Sequence, residues 1–263
     1  MIDTHCHLTH AKLIDEQADV VARARDAGLT ACITIGTGTT DARSVLASIE
    51  RHPGFLFGTA GLDPFTSHRA GDAFDEAFAE LSTLIDAGGF CAVGEIGLDY
   101  HYDLDPKPLQ RERFERQLEL AAERDLPVVI HVREAHEDML GVLNAHPTNR
   151  GVIHSFTAGP REAERYLALN WYLAFNGVLT FKNASAVREA ALLTPAERLL
   201  VETDSPYLAP VPLRGKRCEP AYVAHTLATL AELRGVPLDR LDAQTSVNAE
   251  HLFGLATPLE TRG

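Results

Sequence analysis

Short apolar runs and longer amphipathic segments alternate along this chain almost from one end to the other. Eight runs of five or six residues are rich in Val, Ile, Leu, Phe and Cys, a composition typical of buried β-strands. They span residues 2–7, 31–36, 55–60, 91–96, 127–132, 151–156, 171–175 and 199–204. Because most read as continuous apolar runs rather than strict alternation, they favour a parallel sheet covered by other elements.

The segments between these runs place apolar residues three and four positions apart, the spacing of a helix with one buried face. The predicted helices span residues 15–27, 40–51, 72–87, 108–125, 134–145, 160–168, 184–193 and 220–234, with a closing helix at 237–253. Eight strand–helix units in 263 residues predict a (β/α)8 TIM barrel, formed as a single domain over residues 1–263. An open doubly wound sheet is disfavoured, because the chain has no Gly-rich phosphate loop.

Composition indicates whether such a barrel would be associated with a membrane and in which compartment it would lie. The chain is 45% hydrophobic, enough for a substantial core, yet no apolar run approaches the roughly eighteen residues of a membrane-spanning helix. Residues after Met1 show neither the basic region nor the apolar stretch of a secretory signal. Four cysteines form no C-x-x-C pair and are interpreted as reduced thiols, most of them in the core. We therefore predict a cytoplasmic protein with no membrane association and no stable protein partner.

The formal net charge of −13 argues against a protein that holds nucleic acid through a broad basic surface. A polyanionic substrate would have to be met locally, by metal ions or by a few placed Arg and Lys residues.

The first candidate chemistry lies in the first strand. Side chains alternate between the faces of a strand, so His5 and His7 point the same way and Cys6 points the opposite way. Two imidazoles on one face form a plausible half of a metal site, whereas Cys6 is expected to face the layer between barrel and helices. A His-x-His motif is weak evidence alone, because chance supplies it often in a chain with 12 His.

Further metal-type residues fall where predicted strands end, the end at which barrels of this kind carry their active sites. The six candidates are His5, His7, Glu95, His131, His154 and Asp204. Each alone has a structural alternative, a hydrogen-bonded histidine or a helix-capping carboxylate. Together, four imidazoles and two carboxylates are too many for one tetrahedral ion and favour a pair of divalent ions, with Glu95 able to bridge them.

These residues lie in motifs that resemble a known family. The segments 3–7, 94–100, 131–135, 154–156 and 202–210 are similar to those of the TatD-type deoxyribonucleases, metal-dependent hydrolases of the amidohydrolase superfamily. The resemblance implies a first ion held by His5, His7, Glu95 and Asp204, and a second held by Glu95, His131 and His154. It also implies that Asp204 acts as general base toward the attacking water, so Glu95 and Asp204 are the predicted catalytic residues.

Three departures from the family pattern bear on the substrate. Asp63 stands where the family usually has a histidine, and either replaces that histidine or begins a turn. Ser155 stands where the family usually has Cys, and the family's Arg-Gly-Lys-x-Asn-x-Pro pattern lacks its Asn at Cys218. None of these removes a predicted ligand, but Asp63 adds negative charge near the expected path of a phosphate.

Substrate contacts are predicted from basic and imidazole residues in loops beyond the strand ends. Arg133 is the foremost candidate, because it follows His131 by two residues and should face the same side. The other candidates are His101, Lys182, Arg214 and Lys216, each with a solvated surface charge as its alternative.

The predicted function is metal-dependent hydrolysis, foremost by a DNase that works as an exonuclease on single-stranded or frayed DNA ends. The resemblance favours magnesium, whereas the imidazole-rich ligands favour zinc-like ions, so Mg, Mn and Zn all stay open. Hydrolysis of another bond by the same centre, such as an aminoacyl-tRNA ester, a lactone or an amide, is the alternative, since fold alone does not decide chemistry. A non-catalytic metal- or nucleic-acid-binding module is disfavoured, because the predicted general base is present.

Overall fold

A computed structural model describes residues 1–255 as a barrel of parallel strands in sequence order. The strands are β1 Ile2–Cys6, β2 Ala31–Gly36, β3 Leu56–Ala60, β4 Ala92–Asp99, β5 Val128–Arg133, β6 Gly151–Ile153, β7 Tyr172–Phe175 and β8 Leu199–Val201. A parallel bridge between Cys6 and Ser205 joins β1 to the chain just beyond β8. The predicted (β/α)8 barrel is confirmed, although the last eight residues of the predicted domain, 256–263, lie outside the described residues.

Helices follow the strands and cover the outside of the barrel. They are α1 Gln17–Asp26, α2 Thr39–Arg51, α3 Pro64–Ala70, α4 Phe74–Asp86, α5 Lys107–Glu123, α6 His136–Ala145, α7 Pro160–Ala168, α8 Ser185–Leu193, α9 Val223–Arg234 and α10 Leu238–Phe253. All but α3 were predicted, with ends that differ by no more than three residues. Helix α3 was missed because seven residues are too few to show a helical period.

Apolar side chains form two layers. Inside the barrel, Ile33, Ile35, Val129 and Leu200 pack with the end of α10, so the end where the strands begin is covered. A second layer lies between barrel and helices and includes Cys6, whose thiol donates to the carbonyl of Ile33 at 3.3 Å. The prediction that Cys6 faces away from His5 and His7 is confirmed. The predicted metal ligands are therefore found toward the opposite end of the barrel, where the strands finish.

The predicted strand ends need correction. Glu95 and His131 lie within their strands, because β4 and β5 keep pairing as far as Asp99 and Arg133, beyond a register shift between Val93 and Ile96. His154 and Asp204 lie one and three residues beyond their strands, because β6 and β8 have only three residues each.

Among residues 1–255, no helix is both long and apolar enough to span a membrane.

Candidate metal centre

Glu95 lies at the centre of the predicted ligand set and is nearly fully buried. Its Oε1 atom is 2.9 Å from His131 Nδ1 and 2.9 Å from His154 Nε2. Its Oε2 atom is 3.5 Å from His5 Nε2 and 3.9 Å from His7 Nε2. Each carboxylate oxygen therefore faces a different pair of imidazoles, the arrangement of a carboxylate able to bridge two ions.

Asp204 approaches the same centre from the chain beyond β8. Its Oδ1 atom is 3.4 Å from His7 Nε2 and 3.7 Å from His5 Nε2. The backbone of Asp204 has a φ of 58°, in the left-handed region that Asp adopts more readily than most residues. Its N–H donates to the carbonyl of His5 at 2.8 Å, which fixes the turn against β1.

The donor atoms suit divalent ions in both type and spacing. His5 Nε2 and His7 Nε2 lie 3.1 Å apart. This is close to the distance of roughly 3.3 Å between two nitrogens that bind the same tetrahedral ion, each at about 2.05 Å. Three sets of ligand atoms lie within 4.8 Å of one another: His5–His7–Glu95, Glu95–His131–His154 and His5–His154–Glu202. The first two sets share Glu95, so the residues present fit the pair of ions that the sequence predicts.

The electrostatics of the protein alone show strong coupling between these groups. Burial opposes ionisation of Glu95, but His154, His131 and His5 outweigh it and hold the pKa of Glu95 well below its usual range. Burial likewise lowers the pKa of His131, but Asp99 and Glu95 outweigh it and raise that pKa to about 9. His5 differs from His131, because burial and the neighbouring His154 lower the pKa of His5. Positive charge is thus already favoured around Glu95.

Two buried carboxylates that sequence reasoning did not assign to the site support its histidines. Asp99 Oδ2 is 3.0 Å from His131 Nε2, the ring nitrogen that faces away from Glu95. Glu202 Oε1 is 3.6 Å from His154 Nδ1 and accepts the N–H of Ser155 at 2.6 Å. Both residues lie in the segments that carry the family resemblance. Their roles were missed because sequence does not show which ring nitrogen lacks a partner.

A further buried carboxylate, that of Asp3, links the first strand of the barrel to the chain just beyond the last strand. Asp3 accepts the N–H of Thr203 at 2.9 Å and its hydroxyl at 2.6 Å, and so ties β1 to the residue before Asp204. Burial raises the pKa of Asp3 to about 8, although the hydrogen bonds from Thr203 oppose this shift. The role of Asp3 was also missed, although its place two residues before His5 on the same strand face was a usable signal.

Asp63, the first departure from the family pattern, begins helix α3. Its side chain accepts the N–H of Thr66 at 2.8 Å as an N-cap. Burial, followed by the negative charge of Glu95, raises the pKa of Asp63. Of the two alternatives left open, the structure shows the start of a turn, with the carboxylate close enough to Glu95 to be affected by it. Ser155, the second departure, accepts a hydrogen bond from Asn176 at 2.8 Å.

The predicted substrate contacts lie in exposed positions. The Arg133 guanidinium lies over the ring of Tyr102, 4.9 Å from its centroid, and His101 Nδ1 is 2.7 Å from Glu134 Oε1. Lys182 lies in the loop after β7, and Arg214 and Lys216 lie in the loop after β8. Within residues 1–255, the contacts of these three residues are with Arg188, Phe181 and Leu213, and none is a hydrogen bond or ion pair with the six predicted ligands. They stay predictions.

A parallel (β/α)8 barrel that gathers four imidazoles and two carboxylates at one end of its strands defines the class of metal-dependent hydrolase barrels. The sequence matches the family described as TatD related DNase over residues 2–254. The chain therefore belongs to the TatD family of metal-dependent hydrolases, and the resemblance read from its motifs is confirmed.

Individual relatives align over nearly the whole chain. The uncharacterized metal-dependent hydrolase YabD of Bacillus subtilis is 35% identical, covering 96% of this chain and 98% of its own length. The 3'-5' ssDNA/RNA exonuclease TatD of Erwinia tasmaniensis is 34% identical, covering 97% of this chain and all of its own length. The crystal structure of YJJV, a TatD homolog from Escherichia coli K12, superposes with a TM-score of 0.89 at 30% identity, covering 97% of this chain and 98% of that one.

Proposed function

We propose that this protein is a two-metal phosphodiesterase that removes nucleotides from the ends of single-stranded nucleic acid. The observation that carries the proposal is the position of the Glu95 carboxylate, whose two oxygens face two separate pairs of imidazoles. Relatives named as 3'-5' ssDNA/RNA exonucleases support the substrate class and the exonucleolytic mode. Single-stranded or frayed DNA ends are the proposed substrate.

In this proposal His5, His7, Glu95 and Asp204 hold one ion, and Glu95, His131 and His154 hold the other. When bound, divalent ions favour deprotonation of water and offset the charge that develops on a phosphodiester. The choice among Mg, Mn and Zn stays open, because the donor set mixes imidazoles with carboxylates.

The protein's own groups then have separate tasks. Asp204 accepts a proton from the attacking water. Its carboxylate is ionised and free to do so, because burial, which opposes ionisation, is outweighed by the hydrogen bond from His7 and the nearby His5, which hold the pKa of Asp204 below its usual range. Glu95 fixes the separation of the two halves of the centre. Asp99 and Glu202 hold the rings of His131 and His154 in place.

The test is hydrolysis by purified protein that has been stripped of metal and reloaded separately with Mg²⁺, Mn²⁺ or Zn²⁺. We expect end-labelled single-stranded DNA to be shortened stepwise from one end, faster than blunt duplex of the same sequence. Asp204→Asn should abolish turnover, while the folded protein still takes up metal through the other five predicted ligands, measured by elemental analysis. Parallel assays on aminoacyl-tRNA and simple esters address the alternative hydrolases. No shortening with any of the three ions would contradict the proposal.

A cytoplasmic location and the absence of a stable protein partner stay predictions. The four cysteines are free thiols, as a reducing compartment would keep them.

A further inference from the structure

Two exposed tyrosines lie on opposite sides of the candidate metal centre. Tyr102 follows β4 and Tyr207 follows β8, and these strands are four positions apart in a barrel of eight. Their exposed fractions are 46% and 45%. Exposed aromatic rings of this kind are stacking surfaces for unpaired bases, because every base has a π-face.

Tyr102 is held in place by groups that belong to the centre. Its N–H donates to Asp99 Oδ1 at 3.2 Å, while the other oxygen of Asp99 lies 3.0 Å from His131. The ring of Phe65 meets that of Tyr102 edge-on, with the centroids 5.2 Å apart. Arg133 lies over the same ring and donates to the tyrosine hydroxyl at 3.3 Å. The ring is therefore oriented in advance and carries a cation, which suits a base with a phosphate attached.

Tyr207 has the same combination of features on the other side. Its ring centroid is 6.3 Å from that of His7. Lys12 Nζ lies 5.7 Å from the Tyr207 centroid, and the tyrosine hydroxyl is 3.1 Å from His10 Nε2. Tyr102 and Tyr207 lie at the mouth of the barrel, the end of the strands that carries the candidate metal centre. Each is thus paired with a basic residue, in a protein whose net charge is −13.

We propose that a single strand of nucleic acid crosses the mouth, with one base stacked on Tyr102 and the base across the scissile phosphate stacked on Tyr207. This inference rests on the proposed nuclease function and assigns its substrate-binding site. Arg133 and Lys12 contact the flanking phosphates. Bases in a duplex have both faces covered by neighbouring pairs, so the site selects unpaired nucleotides.

The test compares oligonucleotides that lack one base, on either side of the bond that is cut. Steady-state kinetics with wild-type protein should show a higher KM for each abasic substrate. Tyr102→Leu should raise KM for intact single-stranded DNA roughly five- to 150-fold, as expected from the energy of a base–aromatic stack. It should also remove the sensitivity to one of the two abasic positions, and Tyr207→Leu should remove the sensitivity to the other. Metal content should stay at the wild-type level in both variants.

Two controls separate stacking from other losses. Tyr102→Phe keeps the ring and should keep the dependence on the base. Phe78→Leu removes an aromatic ring that packs against Phe74 and Arg116 on the outside of the barrel, and should leave KM unchanged. Wild-type KM and undiminished abasic sensitivity in both Tyr102→Leu and Tyr207→Leu would overturn the proposal.

A second measurement does not depend on turnover. Oligonucleotides carry 2-aminopurine at one of the two positions that flank the bond to be cut. They are titrated with Asp204→Asn protein in the presence of Mg²⁺, Mn²⁺ or Zn²⁺, and quenching of their fluorescence reports stacking directly. Quenching that is lost on Tyr102→Leu at one position, and on Tyr207→Leu at the other, supports the site. Absence of quenching at both positions overturns it. Failure of wild-type protein to cleave, by contrast, counts against the nuclease function and leaves this titration to decide the stacking site.

Discussion

His131 is a predicted ligand with a carboxylate oxygen within hydrogen-bond distance of each ring nitrogen. Nδ1 faces Glu95 and Nε2 faces the fully buried Asp99. A carboxylate on the far nitrogen fixes the tautomer and orientation of a metal-binding histidine, and its loss typically weakens metal binding ten- to hundred-fold. We expect Asp99→Asn to lower metal affinity by about that factor.

Competition with a chromogenic chelator measures this affinity. Asp138→Asn is a matched control, because Asp138 is a partly exposed acceptor for Tyr100 and Arg111 and has no contact with His131. Equal metal affinities in wild-type protein and Asp99→Asn would show that Asp99 does not orient His131.

Metal binding should release protons from the same histidine. Its pKa of about 9 in the protein without metal means that His131 is largely protonated at pH 7, whereas a metal ligand must be neutral. Affinity should therefore rise with pH up to about 9. Since a raised pKa favours the charged folded state, the stability that His131 contributes without metal is complete below its unfolded pKa of roughly 6.5 and is lost as the pH rises through its folded value.

Calorimetric titration with metal, in two buffers that differ in ionisation enthalpy, measures the released protons. The observed enthalpy should differ between buffers by an amount that corresponds to release of at least one proton. An enthalpy independent of the buffer would show that the imidazoles are already neutral.

At the scale of single residues, the sequence predicts which donors belong together but not what holds them. His5, His7, Glu95, His131 and His154 could be chosen because residue type, strand position and family motif all agree. Asp99 and Glu202 could not, because an acidic residue inside such a segment is equally well explained as a helix cap or a solvated charge. Their roles depend on which ring nitrogens face away from Glu95.

At the scale of elements, the spacing of apolar residues predicts helices and strands well where they are long. It fails for α3, whose only apolar side chain besides Pro64 and Ala70 is that of Phe65, and whose start depends on the cap at Asp63. It also misplaces the ends of β4, β6 and β8. Strand ends are set by pairing with neighbours, which no local pattern contains.

Helix α3 allows the two effects of Asp63 to be separated. Asn caps a helix about as well as Asp, whereas Ala does not, so Asp63→Ala should cost roughly 0.5–2 kcal/mol of unfolding free energy and Asp63→Asn much less. Asp63→Asn also removes a half-buried carboxylate near Glu95. We therefore expect Asp63→Asn to be at least as stable as wild type and to bind single-stranded DNA more tightly.

Urea denaturation of the metal-free proteins measures the first effect, and fluorescence anisotropy with labelled DNA measures the second. Equal stabilities for the Ala and Asn variants would show that the cap contributes nothing. Unchanged DNA affinity in Asp63→Asn would place its charge away from the path of the phosphates.

At the scale of the whole molecule, the barrel follows from eight repeated strand–helix units, whereas its substrate depends on charge. A net charge of −13 argues against broad contact with phosphates. In the proposed complex the nucleic acid meets two basic residues at the mouth, Arg133 and Lys12. Few ionic contacts mean a weak dependence on salt. For single strands the slope of log affinity against log salt is about −0.7 per phosphate neutralised, so two contacts predict a slope near −1.4.

Anisotropy titrations with Asp204→Asn at a fixed concentration of divalent ion, over a range of monovalent salt, measure this slope. Adding Arg133→Gln should make it shallower by about 0.7, because one phosphate contact is lost. Adding Arg150→Gln should not change it, because Arg150 precedes β6 at the opposite end of the barrel and pairs with Asp125. A slope several-fold steeper than −1.4 would instead require a wide basic surface, and would move the binding site away from the mouth.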